Sequence, residues 1–167
     1  NLTSSLIGNP LWNPTGGKVN GALAFNGSTD AVTVPNASML NPASAFTVAA
    51  WVNPSASMTD FRAVLVKNYS YFLYGSVSGY CGSGAVLGGF DNFTVCSPAP
   101  LAANTWTHIA LTYNGTTLTL YRNGVLAASA PASGVVSANT GTLQLGASQF
   151  GENFPGSLDD VRFYNRG

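Results

Sequence analysis

The stretch Trp106-Thr107-His108-Ile109-Ala110-Leu111-Thr112-Tyr113-Asn114-Gly115 decides the fold class. Thr107, Ile109, Leu111 and Tyr113 fall on one face and Trp106, His108, Ala110 and Thr112 on the other, the two-residue period of a strand. Asn114-Gly115 then offers residues that tolerate positive φ, as a tight hairpin demands. Thr117 to Arg122 returns, and a second pair, Asn123-Gly124, turns the chain into Val125-Leu126-Ala127. This is a three-stranded meander.

Working outward, the same period recurs. Ala22 to Phe25 runs into Asn26-Gly27, and Ala31 to Val34 stops at Pro35, which cannot donate to a ladder. Phe46 to Val52 ends at Asn53-Pro54; Ala63 to Lys67, Tyr71 to Tyr74, Thr142 to Leu145 and Leu158 to Tyr164 complete the strands. No apolar stripe of helical period carries caps, and Met39 to Ala43 has room for one turn only. Gly75 to Gly89 is glycine-rich and predicts a long loop or weak hairpin. Short strands punctuated by Gly, Pro and Asn predict an all-β, two-sheet antiparallel jelly-roll sandwich, with residues 1–167 as a single domain.

Composition narrows the function classes. Only 7% of the 167 residues are charged, and six Lys and Arg balance six Asp and Glu. That balance excludes a nucleic-acid footprint, which needs clustered cations, and a polybasic membrane anchor. At 46% hydrophobic and 11% aromatic the chain is no disordered tail. No apolar run approaches the roughly 18 residues of a membrane helix, so no membrane insertion is expected. Asn1 is not preceded by an initiator Met, basic region or apolar leader, which predicts a module processed from a longer secreted protein. Cys81 and Cys96 either close a disulfide loop, worth about 3 kcal/mol in an oxidising compartment, or stay as two buried thiols.

Four segments together resemble the laminin-G-like branch of the concanavalin A-like lectin/glucanase superfamily. They are Gly21-Ala22-Leu23-Ala24-Phe25-Asn26-Gly27-Ser28-Thr29-Asp30-Ala31-Val32; Phe46-Thr47-Val48-Ala49-Ala50-Trp51-Val52-Asn53-Pro54; Trp106 to Gly115 followed by Leu120-Tyr121-Arg122-Asn123-Gly124; and Gly156-Ser157-Leu158-Asp159-Asp160-Val161-Arg162-Phe163-Tyr164-Asn165-Arg166. The resemblance implies a jelly roll used mostly for carbohydrate binding or adhesion and often appended to secreted enzymes. It also implies a structural calcium, held by Asn26 or Gly27 with Asp30 and Asp159. Sharing its strand phase with Val161 and Phe163, Asp159 is expected to point inward. Two departures stand out: Asn1 to Pro14 holds no acidic residue, and Ala31 replaces the usual aromatic.

Hydrolysis of a glycosidic bond needs two carboxylates facing one cleft. This chain has a single glutamate, Glu152, and its only adjacent acids, Asp159-Asp160, point to opposite faces of a strand. No Glu-x-Asp-x-x-Glu pattern occurs, so no catalytic residue is assigned. His108 lies in a structural strand, one His with two distant Cys builds no ordinary zinc site, and Gly82-Ser83-Gly84 leads into no helix.

A saccharide is gripped by aromatic faces and by amide and carboxylate groups. Trp51 and Trp106, inside shared strand motifs, are expected in the core. The variable middle is the candidate surface, around Asp60-Phe61-Arg62, Phe90-Asp91-Asn92-Phe93 and Gln149-Phe150-Gly151-Glu152-Asn153. From it Arg62, Tyr69, Tyr71, Tyr74, Tyr80, Asp91, Asn92, Gln149, Glu152 and Asn153 are the candidate ligand-binding residues. The reading is a secreted, non-catalytic module for a poly- or oligosaccharide, with a protein surface as the alternative partner.

Overall fold

In the computed structural model, which describes residues 3–79 and 81–167, the strands form two antiparallel sheets of seven strands each. Sheet A is ordered β1 (Ser5–Ile7), β4 (Ala31–Val34), β13 (Leu143–Leu145), β6 (Arg62–Lys67), β7 (Tyr71–Ser76), β8 (Val86–Phe90) and β9 (Phe93–Ser97). Sheet B is ordered β12 (Val125–Pro131), β11 (Thr117–Arg122), β10 (Thr107–Tyr113), β5 (Phe46–Pro54), β14 (Pro155–Tyr164), β3 (Ala22–Asn26) and β2 (Leu11–Asn13). The expected sandwich is present. The amino-terminal segment, which carried no strand signal, supplies an edge strand to each sheet. Among the described residues the one helical turn is Ser38–Leu40, in 3-10 form, just ahead of the expected Met39–Ala43, and it buries Leu40.

Alternation explains the core. Phe46, Val48, Ala50 and Val52 of β5, Ile109, Leu111 and Tyr113 of β10, and Leu118 and Leu120 of β11 face inward. They meet Leu65, Tyr71, Leu73, Phe90 and Val95 of sheet A. Each such side chain contributes about 1.5–3 kcal/mol on burial. Aromatic rings interlock at the centre: Phe90 and Tyr113 have centroids 4.4 Å apart, and Phe46 and Tyr71 5.4 Å. The Tyr113 hydroxyl donates to the Gly134 carbonyl at 2.8 Å, so its burial leaves no unmet donor.

The turns follow their residues. Asn123 and Gly124 both have positive φ, 50° and 77°, and close the β11–β12 hairpin. The glycine-rich stretch resolves into a hairpin, β7 pairing with β8 from Tyr71↔Phe90 to Tyr74↔Leu87, with a loop between. At Gly88 a Cβ would lie 2.6 Å from the Leu111 side chain across the sandwich, so a larger residue would make Leu111 shift. The cysteines form a disulfide, Cys81–Cys96, that ties the loop to β9.

One feature of β14 reverses an expectation. Asp159 pairs with Trp51, but the next registered pair is Arg162 with Ala49, a bulge in which Asp160 adopts φ 48°. The extra residue shifts the parity of the strand. Leu158 faces the core, Val161 and Phe163 return to it, and Asp159 stands on the outer face of sheet B beside Trp51. There it is buried under the amino-terminal segment, its Oδ2 accepting the Val19 amide at 2.7 Å.

Candidate functional site

A sheet facing water on its outer side should carry polar residues there. Sheet A does not. Ala63 and Val66 of β6, Phe72 and Tyr74 of β7 and Leu87 of β8 project outward and gather into a second apolar cluster with Phe61, Val77 and Ala85. Cys81 and Cys96 pack on it, so the disulfide-tied loop covers one part of the cluster. The remainder opens as a groove of about 400 Å³, with Val66, Phe72, Tyr74, Leu87 and Thr94 among its lining. Phe61 meets Tyr74 edge-on at 5.6 Å, and Phe72 does so at 5.8 Å.

Two hairpin turns and one loop build the rim. Tyr69, in the β6–β7 turn, is 79% exposed and sits at φ 59°, a left-handed conformation that disfavours a bulky side chain. Asp91, in the β8–β9 turn, has φ 46°, and its amide donates to the Ser70 carbonyl at 2.9 Å, joining the turns. Its Oδ2 accepts the Ser137 amide at 3.1 Å. Phe150, 68% exposed, lines the groove from the loop before β14. The rim therefore carries two exposed aromatics, Tyr69 and Phe150, and two residues in left-handed turn positions, Tyr69 and Asp91.

Beneath the rim, the Tyr74 hydroxyl donates to Glu152 Oε2 at 2.7 Å, and Ser148 donates to the same oxygen at 2.5 Å. Burial, reinforced by the Glu152 hydrogen bond and charge and opposed by Ser148, pushes the Tyr74 phenol well above its ordinary range. Its proton is therefore committed to Glu152, and its oxygen offers the groove lone pairs only.

The structure gathers some candidate residues and scatters others. Tyr69, Tyr74 and Asp91 line the groove, with Glu152 behind Tyr74. Gln149 lines a shallower depression that shares Tyr69 and Asn68. Asn92 is exposed in the β8–β9 turn outside the groove lining. Arg62 donates to the Asn153 carbonyl at 3.0 Å, and Asn153, itself buried, reaches the Asp30 carbonyl at 3.4 Å, so both brace the loop before β14. Tyr71 is corrected to a core residue: it is 0% exposed and donates to the Leu40 carbonyl at 3.1 Å. Tyr80 lies outside the described residues. Phe72 was missed, although its place between inward Tyr71 and Leu73 marks it as an outward aromatic. Trp51 and Trp106 are corrected too. They are half-buried on the outer face of sheet B, because Val52 and Thr107 occupy the inward phase.

The proposed calcium ligands do not make one centre. Asp30 spends both oxygens on amides, Oδ1 on Asn9 and Oδ2 on Asn26, each at 2.9 Å. Asn26 Oδ1 collects the amides of Ser28 and Thr29, closing the turn that contains Gly27. Pro155 pairs with Asn26, so Asp159 stands four residues along β14, roughly 13 Å away at the usual rise per residue. Backbone amides hydrogen-bond both oxygens of Asp30 and one oxygen of Asp159. Among the described residues no three His, Cys, Asp or Glu gather to hold a metal, and no helix is long and apolar enough to cross a membrane.

The Laminin_G_3 family model, of the concanavalin A-like lectin/glucanases superfamily, matches residues 26–167. Domain 4 of AbnA, an extracellular GH43 arabinanase of Geobacillus stearothermophilus, solved with arabinotriose, is 21% identical with a TM-score of 0.75, covering 96% of this chain and 81% of that one. The binding domain of Paraclostridial Mosquitocidal Protein 1 is 17% identical with a TM-score of 0.76, over 99% of this chain and 44% of that one. The binding domain of botulinum neurotoxin DC, solved with SialylT, is 17% identical with a TM-score of 0.61, over 99% of this chain and 43% of its own. The chain thus spans most of the arabinanase domain but under half of the toxin binding domains. These likenesses are of fold. No curated protein sequence matches the chain.

Proposed function

The chain belongs to the Laminin_G_3 family of the concanavalin A-like lectin/glucanase superfamily, and from that premise we propose that it is a non-catalytic module that binds a polysaccharide or oligosaccharide in the groove on sheet A. The observation that carries this reading is the pair of exposed aromatics, Tyr69 and Phe150, standing over an apolar aromatic floor. Pyranose and furanose rings present C–H faces that stack on such groups. At the groove Asp91 and the Tyr74 oxygen accept hydrogen bonds, Asn68, Ser70 and Thr94 carry groups that donate or accept, and the one lysine in its lining, Lys67, has its ammonium engaged elsewhere. Hydroxyl donors of a neutral sugar suit that arrangement. Asp91 and Glu152 are each tied by hydrogen bonds to Ser137 or to Tyr74 and Ser148, which supports gripping over cutting. The disulfide and the extracellular arabinanase relative support an exported protein.

A second reading, docking on a protein surface, is favoured by Leu6, Ile7, Leu11 and Trp12, all exposed on the two amino-terminal edge strands. Isothermal titration against neutral arabino-, gluco- and galacto-oligosaccharides separates the two. One of these series should bind, and Phe150→Ala should weaken it about tenfold, the equivalent of about 1.4 kcal/mol. Absence of binding by any neutral glycan at millimolar concentration would refute the groove assignment.

A further inference from the structure

The zero net charge of the chain hides a segregation. Of its six lysines and arginines, Lys67 is buried, while Arg62 and Arg122 donate to the carbonyls of Asn153, Ala99 and Pro100. The other three, Lys18, Arg162 and Arg166, are exposed, and all stand on the outer face of sheet B. The acids lie differently. Asp91 and Glu152 belong to the sheet A groove, Asp60 adjoins Phe61 of that groove, and Asp30 is buried among amides. On sheet B, Asp159 is buried and Asp160 is paired with Arg162 at 2.8 Å.

On the outer face of sheet B is a depression of about 490 Å³ lined by Lys18, Trp51, Trp106, His108, Asn123 and Gly124. Trp51 and His108 are direct cross-strand partners, their rings edge to face at 5.2 Å. The Lys18 ammonium lies 5.3 Å from the Trp51 ring centroid. It is placed there by its own segment, since the next residue, Val19, is anchored by its amide to Asp159. Among the described residues the only ion pair is Arg162 with Asp160, so Lys18 has no carboxylate partner. Asn123 accepts the His108 amide through Oδ1 at 2.9 Å, which leaves its amino group to donate. The lining therefore presents an ammonium, an imidazole and an amide, and no carboxylate.

We propose that this depression is a second binding site, on the face opposite the groove, for an anionic saccharide whose ring lies against the Trp51–Trp106 pair and whose carboxylate meets Lys18. A held cation beside aromatic surface recognises a uronate through charge and stacking together, and an anion meeting Lys18 displaces no carboxylate from it among the described residues. The site stands independently of the groove.

The test is an NMR titration of the whole chain with trigalacturonate, using neutral galactotriose as the comparator. Trigalacturonate should shift the Trp51 and Trp106 indole N–H signals, and bind about tenfold more tightly than the neutral sugar. Lys18→Ala, a change at an exposed side chain, should remove most of that difference, and added salt should do likewise. Phe150→Ala should leave it intact. The proposal is overturned if trigalacturonate leaves both indoles unmoved at millimolar concentration, if Lys18→Ala binds it unchanged, or if Phe150→Ala abolishes the effect.

Discussion

Replacing Tyr69 by glycine should make the protein more stable and a poorer binder. Tyr69 holds φ 59° in the β6–β7 turn, where an L-residue with a Cβ is disfavoured by about 1–2 kcal/mol. Glycine removes that cost, but its extra freedom in the unfolded chain returns roughly 0.5–1 kcal/mol. Little packing is lost, because the tyrosine is 79% exposed. The net gain is about 0–1.5 kcal/mol, which for a chain of this size raises the melting temperature by up to about 6 °C. Binding moves the other way. A stacking ring at the rim is worth about 1–2 kcal/mol, so the affinity for a groove ligand should fall roughly fivefold to thirtyfold. Tyr69→Asn is the companion variant: asparagine tolerates the left-handed region yet brings no ring. Calorimetric melting with glycan titration reads both effects. A lower melting temperature together with unchanged affinity would refute the reasoning and make Tyr69 a packing residue.

Alkaline pH should destabilise the fold through two other tyrosines. Burial raises the phenols of Tyr71 and Tyr74 above the usual value of 10.0, so above that pH the unfolded chain releases protons that the folded one retains. Their stabilisation is complete below that pH and declines as it rises, by about 1.4 kcal/mol per pH unit for each. Lys67 acts oppositely: its lowered pKa makes stability rise with pH up to the usual ammonium value of 10.5, and add nothing beyond it. Melting followed from about pH 8 should therefore hold or rise up to about pH 10 and fall above it, and Tyr74→Phe should flatten the fall; an unflattened fall would count against the assignment. Chelation is the third test. Because Asp30 and Asp159 are hydrogen-bonded by amides and stand apart, EDTA should leave the melting temperature unchanged, and a drop of several degrees would reveal a bound metal that this arrangement does not explain.

Local pattern made the sandwich legible. Alternation along Phe46–Val52 and Ile109–Tyr113 names the inward side chains, Asn123-Gly124 names a turn, and four motifs in order name the architecture. Tyr69, Tyr74 and Asp91 were also within reach as aromatic and polar residues of the variable middle. Parity was harder to read. Whether Tyr71 or Phe72 faced the groove, and whether Trp51 stood inside or outside, depended on the phase of each strand against the core. A single extra residue in β14, at the left-handed Asp160, then turned Asp159 from one face to the other.

Composition and periodicity determined by themselves that this chain forms an all-β sandwich, because hydrophobic phase and turn chemistry are local properties of adjacent residues. The tertiary structure alone decided where a ligand can rest. Phe61, Tyr69, Asp91 and Phe150 are distant in the chain and meet only when seven strands pair in register. The gathering of the exposed cations Lys18, Arg162 and Arg166 on sheet B has the same origin: which face a charge occupies depends on how its strand is seated between its neighbours.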